Sequence, residues 1–118
     1  MLHQTTIRKN MHGQWVAKSY VTIGGNHVLT LTTSRTYSGY VTSNASVSEH
    51  KDGVQTHMMY QDYSRQLMRQ KYPRVTAKTV ETQHMMALGD MDRCIEEAQR
   101  MYGYTVTKGT EHEVVEVA

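Results

Sequence analysis

A chain of 118 residues with a formal net charge of +2 has the size of one domain, because single cores organise about 100–200 residues. Its apolar share of 38% is unchanged when the eight Tyr are exchanged for the eight Gly, and it lies below the usual 45–50% or so, so the core is small and nine Met and eight Tyr must help to fill it. The low net charge argues against a disordered chain, no run approaches the roughly 18 apolar residues of a membrane span, and the lone Cys94 excludes an internal disulfide. With no secretory pattern at Met1–Thr6, a cytoplasmic protein of a host bacterial cell without a membrane partner is expected.

The first sixty residues read as strands, because Thr, Val and Tyr dominate and Gly-containing turns recur at short spacing. A short edge strand is expected near Thr5 to Lys9. Trp15 to Ile23 is the next, and Gly24-Gly25-Asn26 turns it back into His27 to Thr33. Ser34 to Gly39 makes a looser turn into Tyr40 to Glu49, where Val41, Ala45 and Val47 share one face and Thr42, Asn44 and Ser46 the other. His50-Lys51-Asp52-Gly53 then leads into Val54 to Gln61. The sum is an antiparallel meander of four to five strands over residues 14–61.

Residues 62–75 form a basic connector able to hold a short helix with Tyr63, Leu67 and Met68 inward, and Pro73 closes it. From Ala77 to Tyr102, Val80, His84, Leu88, Met91, Ile95 and Ala98 recur at intervals of three and four, the pattern of an amphipathic helix. Thr76 suits the N-cap and Gly103 the C′ position. Gly89 in the middle costs about 1 kcal/mol against Ala and marks a candidate bend. Residues 103–118 are a tail or edge strands. A long C-terminal helix across one face of an antiparallel sheet makes a single two-layer α+β domain.

Charge is unevenly placed. Residues 1–80 hold ten Lys and Arg against three acids, and residues 81–118 hold three against eight. Arg65, Arg69, Lys71, Arg74 and Lys78 gather within fourteen residues without an acid, beside Tyr60, Tyr63 and Tyr72. Cations for phosphates and rings for bases are what single-stranded nucleic acid requires, and a solvated basic linker is the plainer alternative. Asp92, Glu96 and Glu97 lie on the exposed side of the helix, and Tyr40 and Thr42 belong to a Thr/Tyr/Ser/Asn surface poor in charge, of the sort common in protein interfaces.

Catalytic and metal chemistry find no support in the pattern. The seven His are scattered, without His-x-His, His-x3-His or Cys-x2-Cys spacing. Glu81-x-x-His84 is half of a two-metal motif that requires a second copy, so a buried, hydrogen-bonded His84 is the simpler reading. No nucleophile elbow, Walker loop or dinucleotide turn occurs. No enzyme, no metal and no cofactor are therefore expected.

The strings Leu29-Thr30-Leu31-Thr32-Thr33-Ser34-Arg35, Gly39-Tyr40-Val41-Thr42, Thr56-His57-Met58-Met59-Tyr60-Gln61-Asp62-Tyr63, Arg74-Val75-Thr76 and Gln83-His84-Met85-Met86-Ala87-Leu88 resemble small uncharacterised proteins of bacteriophages and mobile elements. The resemblance implies a class of non-enzymatic inhibitors that bind host defence machinery, with anti-CRISPR proteins as the example. The expected partner is then a host protein complex, most concretely a CRISPR effector, met through Asp92, Glu96, Glu97, Tyr40 and Thr42, with homodimerisation left open. The alternative is a small nucleic-acid-binding protein using Arg65, Arg69, Lys71, Arg74 and Lys78 with Tyr63 and Tyr72.

Overall fold

A computed structural model describes residues 2–36, 38–51, 54–55, 63–107 and 111–114. Strands β1 (Leu2–Lys9), β2 (Trp15–Gly24), β3 (His27–Arg35), β4 (Tyr40–Lys51), β5 (Val54–Gln55) and β6 (Ser64–Lys71) are followed by helices α1 (Ala77–Leu88) and α2 (Met91–Tyr102) and by strand β7 (Glu111–Val114). The class is α+β. Five strands pair antiparallel in the order β6-β4-β3-β2-β1, β7 adds parallel to β1, and β5 closes a short hairpin on the end of β4.

Turn chemistry sets the hairpins. Between β1 and β2 the Asn10 side chain accepts from the backbone N–H of His12 and of Gln14, at 2.9 and 3.0 Å, a side-chain mimic of a turn. Between β2 and β3 the backbone of Gly24 and Gly25 lies under the ring of Tyr104, so close that a Cβ on Gly24 would stand 2.4 Å from Tyr104 Cδ1. Glycine is needed there for approach as well as for conformation.

Alternation along β2, β3 and β4 sends Ala17, Val21, Ile23, Leu29, Leu31, Val41, Ala45 and Val47 to one side, all buried. Both helices pack on that side. Val80 of α1 meets Ala17 and Val41; Met91, Cys94, Ile95 and Ala98 of α2 meet Val21, Ile23, Leu29 and Leu31.

Three expectations change. The single helix over residues 77–102 is two helices of twelve residues each: Gly89 N–H bonds the Met86 carbonyl and Asp90 N–H the Ala87 carbonyl, three residues back instead of four, and this tightened turn breaks the ladder. The connector at 62–75 holds no helix but strand β6, paired with β4. The fourth strand expected from Val54 to Gln61 is described only at Val54 and Gln55; its remainder, with Tyr60, lies outside the described residues. The expected edge strand near Thr5 is an inner neighbour of β7, and the tail does contribute a strand at Glu111–Val114.

Candidate functional site

The side of the sheet away from the helices is uncovered by any described element. Register places Thr6, Lys18, Thr32, Asn44 and Gln66 in one row across it, and Arg8, Val16, Ser34, Thr42 and Arg69 in the next. Tyr40 and Lys71 pair just beyond. Four inter-strand steps of about 4.8 Å separate Arg8 from Arg69 by roughly 19 Å. Thr32 and Asn44 in the first row and Ser34 and Thr42 in the second fill the middle strands, and the cations are Arg8 on β1, Lys18 on β2 and Arg69 on β6.

Across the five antiparallel strands the formal charge of this face has one sign, while beyond β1 the register sets Glu113 of β7 beside Gln4. The five antiparallel strands carry a single acid, Glu49, whose register partner His27 stacks on Tyr102 of α2, so Glu49 belongs to the helix side. Arg8, Lys18, Arg69 and Lys71 share the open face. The Arg69 guanidinium lies 3.9 Å from the centre of the Tyr40 ring and Lys71 Nζ 5.9 Å from it, cation–π contacts that hold long side chains extended over the sheet.

The residues singled out in sequence are not gathered in one place. Arg69 and Lys71 reach the open face. Arg65, shifted to the opposite face by the bulge in β6, pairs with Glu97 at 3.1 Å. Arg74 and Lys78 are exposed in the connector and the first turn of α1. Tyr63 is buried and donates to Glu97 Oε2 at 3.0 Å; burial, then contacts with Cys94 and Glu97, drive its hydroxyl pKa well upward. The Tyr72 hydroxyl is shared between Gln83 Oε1 at 2.7 Å and Gln70 Oε1 at 2.8 Å. Neither ring is presented to the open face with the cations.

The protein-contact set is divided as well. Tyr40 and Thr42 lie on the open face, Thr42 only 8% exposed, whereas Asp92, Glu96 and Glu97 belong to α2 on the opposite layer. Glu97 is engaged by Arg65 and Tyr63, and Glu96 stands 3.9 Å from Arg100 one turn on. Arg8, Lys18 and Tyr20 were not anticipated; the signal was there, in cations at alternate positions of β1 and β2.

Beneath the sheet His84 is buried between two hydroxyls, Ser19 Oγ at 2.7 Å from Nε2 and Thr33 Oγ1 at 2.7 Å from Nδ1. Thr5 extends the chain from Ser19, and Ser43, Gln83 and Tyr72 extend it from Thr33. Burial raises the pKa of the Cys94 thiol, which disfavours the thiolate a nucleophile requires. Among the described residues no group of three or more His, Cys, Asp and Glu is placed to hold a metal ion, and no helix is long and apolar enough to cross a membrane. No protein-family model, curated protein or solved structure matches the chain.

Proposed function

We propose that the protein is a non-catalytic binding module that lays a single strand of nucleic acid across the open face of its sheet. The observation that carries this reading is the composition of that face: Arg8, Lys18, Arg69 and Lys71 among Thr, Ser, Asn and Gln side chains, with Tyr20 and Tyr40, the one acid of the five antiparallel strands, Glu49, belonging to the other face. Phosphates take the cations, hydroxyls and amides add sequence-independent hydrogen bonds, and the rings offer stacking surfaces. A sheet face left uncovered exposes its whole width to a strand whose bases are splayed out. Neutralising four phosphates on a single strand gives a logarithmic salt slope of about −2.8. Titration of a labelled single-stranded oligonucleotide at two salt concentrations tests this, with the slope falling to about −1.4 in the double variant Arg69→Ala, Lys71→Ala. Absence of binding, or binding indifferent to salt and to these substitutions, overturns the reading.

A second reading, an inhibitor of a host defence complex such as a CRISPR effector, draws support from the helix layer. Met85, Met86 and Met101 are exposed there, at 44%, 59% and 54%, on helices that also carry Glu81, Asp92, Glu96 and Glu97. Adaptable apolar side chains among acids suit a protein partner with a cationic surface. Target cleavage by a purified effector, measured with the parent and with Met86→Asp, decides it: inhibition by the parent and loss in the variant support it, and no inhibition removes it.

A further inference from the structure

At the β1–β2 end of the open face lies a groove of about 360 Å³, lined by Thr6, Arg8, Lys9, Asn10, Val16, Lys18 and Tyr20. Its construction follows from register. Thr6 and Lys18 are direct cross-strand partners, and Arg8 and Tyr20 stand one step to either side, opposite Val16 and Gln4, so all reach the same concavity. Arg8 and Lys18 are exposed. Asn10 has its carbonyl oxygen committed to the turn, which leaves its amide N–H₂ as the free end. The groove thus offers three cations, of which Lys9 also lies over the Trp15 ring, a hydroxyl, an amide donor and one aromatic ring, in a volume within the range of small-ligand sites.

We infer that this groove is a subsite for one nucleotide, the phosphate held between Arg8 and Lys18 with Thr6 and Asn10 donating, and the base against Tyr20. Val16 and the Tyr20 ring make no use of a bare phosphate, and the groove is several times larger than that ion. A flat π-bearing group attached to a phosphate accounts for both halves of the lining. The inference rests on the reading of the open face as strand-binding, of which the groove is one end.

Calorimetric titration of the full chain with AMP, ribose 5-phosphate and adenosine tests it. AMP is expected to bind about tenfold or more tightly than either fragment. Arg8→Ala with Lys18→Ala, both at exposed positions, weakens AMP about tenfold or more, Tyr20→Leu erases the preference for AMP over ribose 5-phosphate, and Arg69→Ala leaves AMP binding unchanged. AMP binding no better than ribose 5-phosphate, or unaffected by loss of both cations, overturns the subsite. If AMP occupies the groove while no oligonucleotide is retained, the subsite stands and the strand reading falls. If an oligonucleotide binds through Arg69 and Lys71 while AMP does not bind, the strand reading stands and the subsite falls.

Discussion

At Gly24 the constraint on a single residue is steric. The ring of Tyr104 rests on the Gly24 backbone, its hydroxyl is 2.5 Å from His27 Nδ1, and Gln99 fastens the same stretch by donating to the Ile23 carbonyl and accepting from Thr107 N–H. Gly24→Ala must dislodge Tyr104 and is expected to cost about 1–3 kcal/mol in urea unfolding. Gly39→Ala, at a positive φ but in open space, is expected to cost only the left-handed backbone term of about 1–2 kcal/mol. Tyr63 and Cys94 supply a second constraint, on protons. Burial above all raises both pKa values, from ordinary values of 10.0 and 9.0, so the folded chain holds these protons more tightly than the unfolded chain does. The stability that results is complete below about pH 9 and is lost as pH climbs through 9 and 10 and beyond. Urea midpoints measured from neutral to alkaline pH should therefore be level and then fall, and Tyr63→Phe with Cys94→Ala should reduce the fall. An unchanged alkaline decline in that double variant would refute the assignment.

Among the elements, α2 bears most on the core. Met91 and Ile95 are fully buried against β2 and β3, and an Asp at either position places an unpaired charge in an apolar layer, at a cost above about 4 kcal/mol. Circular dichroism should show the variant unfolded or melting far below the parent. A variant as stable as the parent would take this helix face out of the core. The inward positions of both helices were legible in sequence, but the division between them was not, because Leu88, Met91 and Ile95 keep the three-and-four spacing straight through Gly89 and Asp90. Periodicity does not distinguish one helix from two joined by a tight turn on the same surface. Strand β6 was illegible for a different reason. Its pairing shifts between Ser43 and Asn44, which inserts Leu67 as an extra residue, so Leu67 and Met68 both reach the core and the neighbouring apolar pair mimics a helical face. The same bulge puts Arg65 and Arg69, members of one basic cluster in the sequence, on opposite faces of the sheet.

For the molecule as a whole, the imbalance that the sequence shows between its first eighty residues and the rest becomes an excess of positive charge on the antiparallel strands. The five antiparallel strands hold eight cations and one acid, the two helices three cations and four acids, and β7 the acids Glu111 and Glu113, so positive charge is concentrated on the antiparallel strands while the helix layer is close to neutral. Such a molecule is turned by the field of a polyanion as it approaches, sheet first. The α+β class and the sheet with helices on one side were readable from turn residues and period changes. The candidate site was readable only in part: Arg69 and Lys71 were seen because they cluster in sequence, whereas Arg8 and Lys18 join them only through the pairing of β1 with β2, a long-range fact that no local window contains.

The buried polar chain from Thr5 through His84 to Tyr72 bears on how this sheet finds its alignment. Thr and Ser occur on both faces: Thr30, Thr32 and Ser46 face outward, Ser19, Thr33 and Ser43 face the helices. A strand slipped by two residues keeps its apolar face inward and exchanges hydroxyls for hydroxyls at many sites, so hydrophobic patterning alone would penalise that error weakly. His84 and Gln83 penalise it strongly, since each needs an oxygen from a particular strand and a slip leaves buried donors orphaned. The seam thus acts as a checksum on strand alignment. Replacing Ser19 and Ser43 with Ala, Thr33 with Val, and Gln83 and His84 with Leu in one variant is expected to preserve a melting transition near that of the parent while doubling backbone amide resonances in β2, β3 and β4; a single set of resonances would show that the apolar pattern suffices.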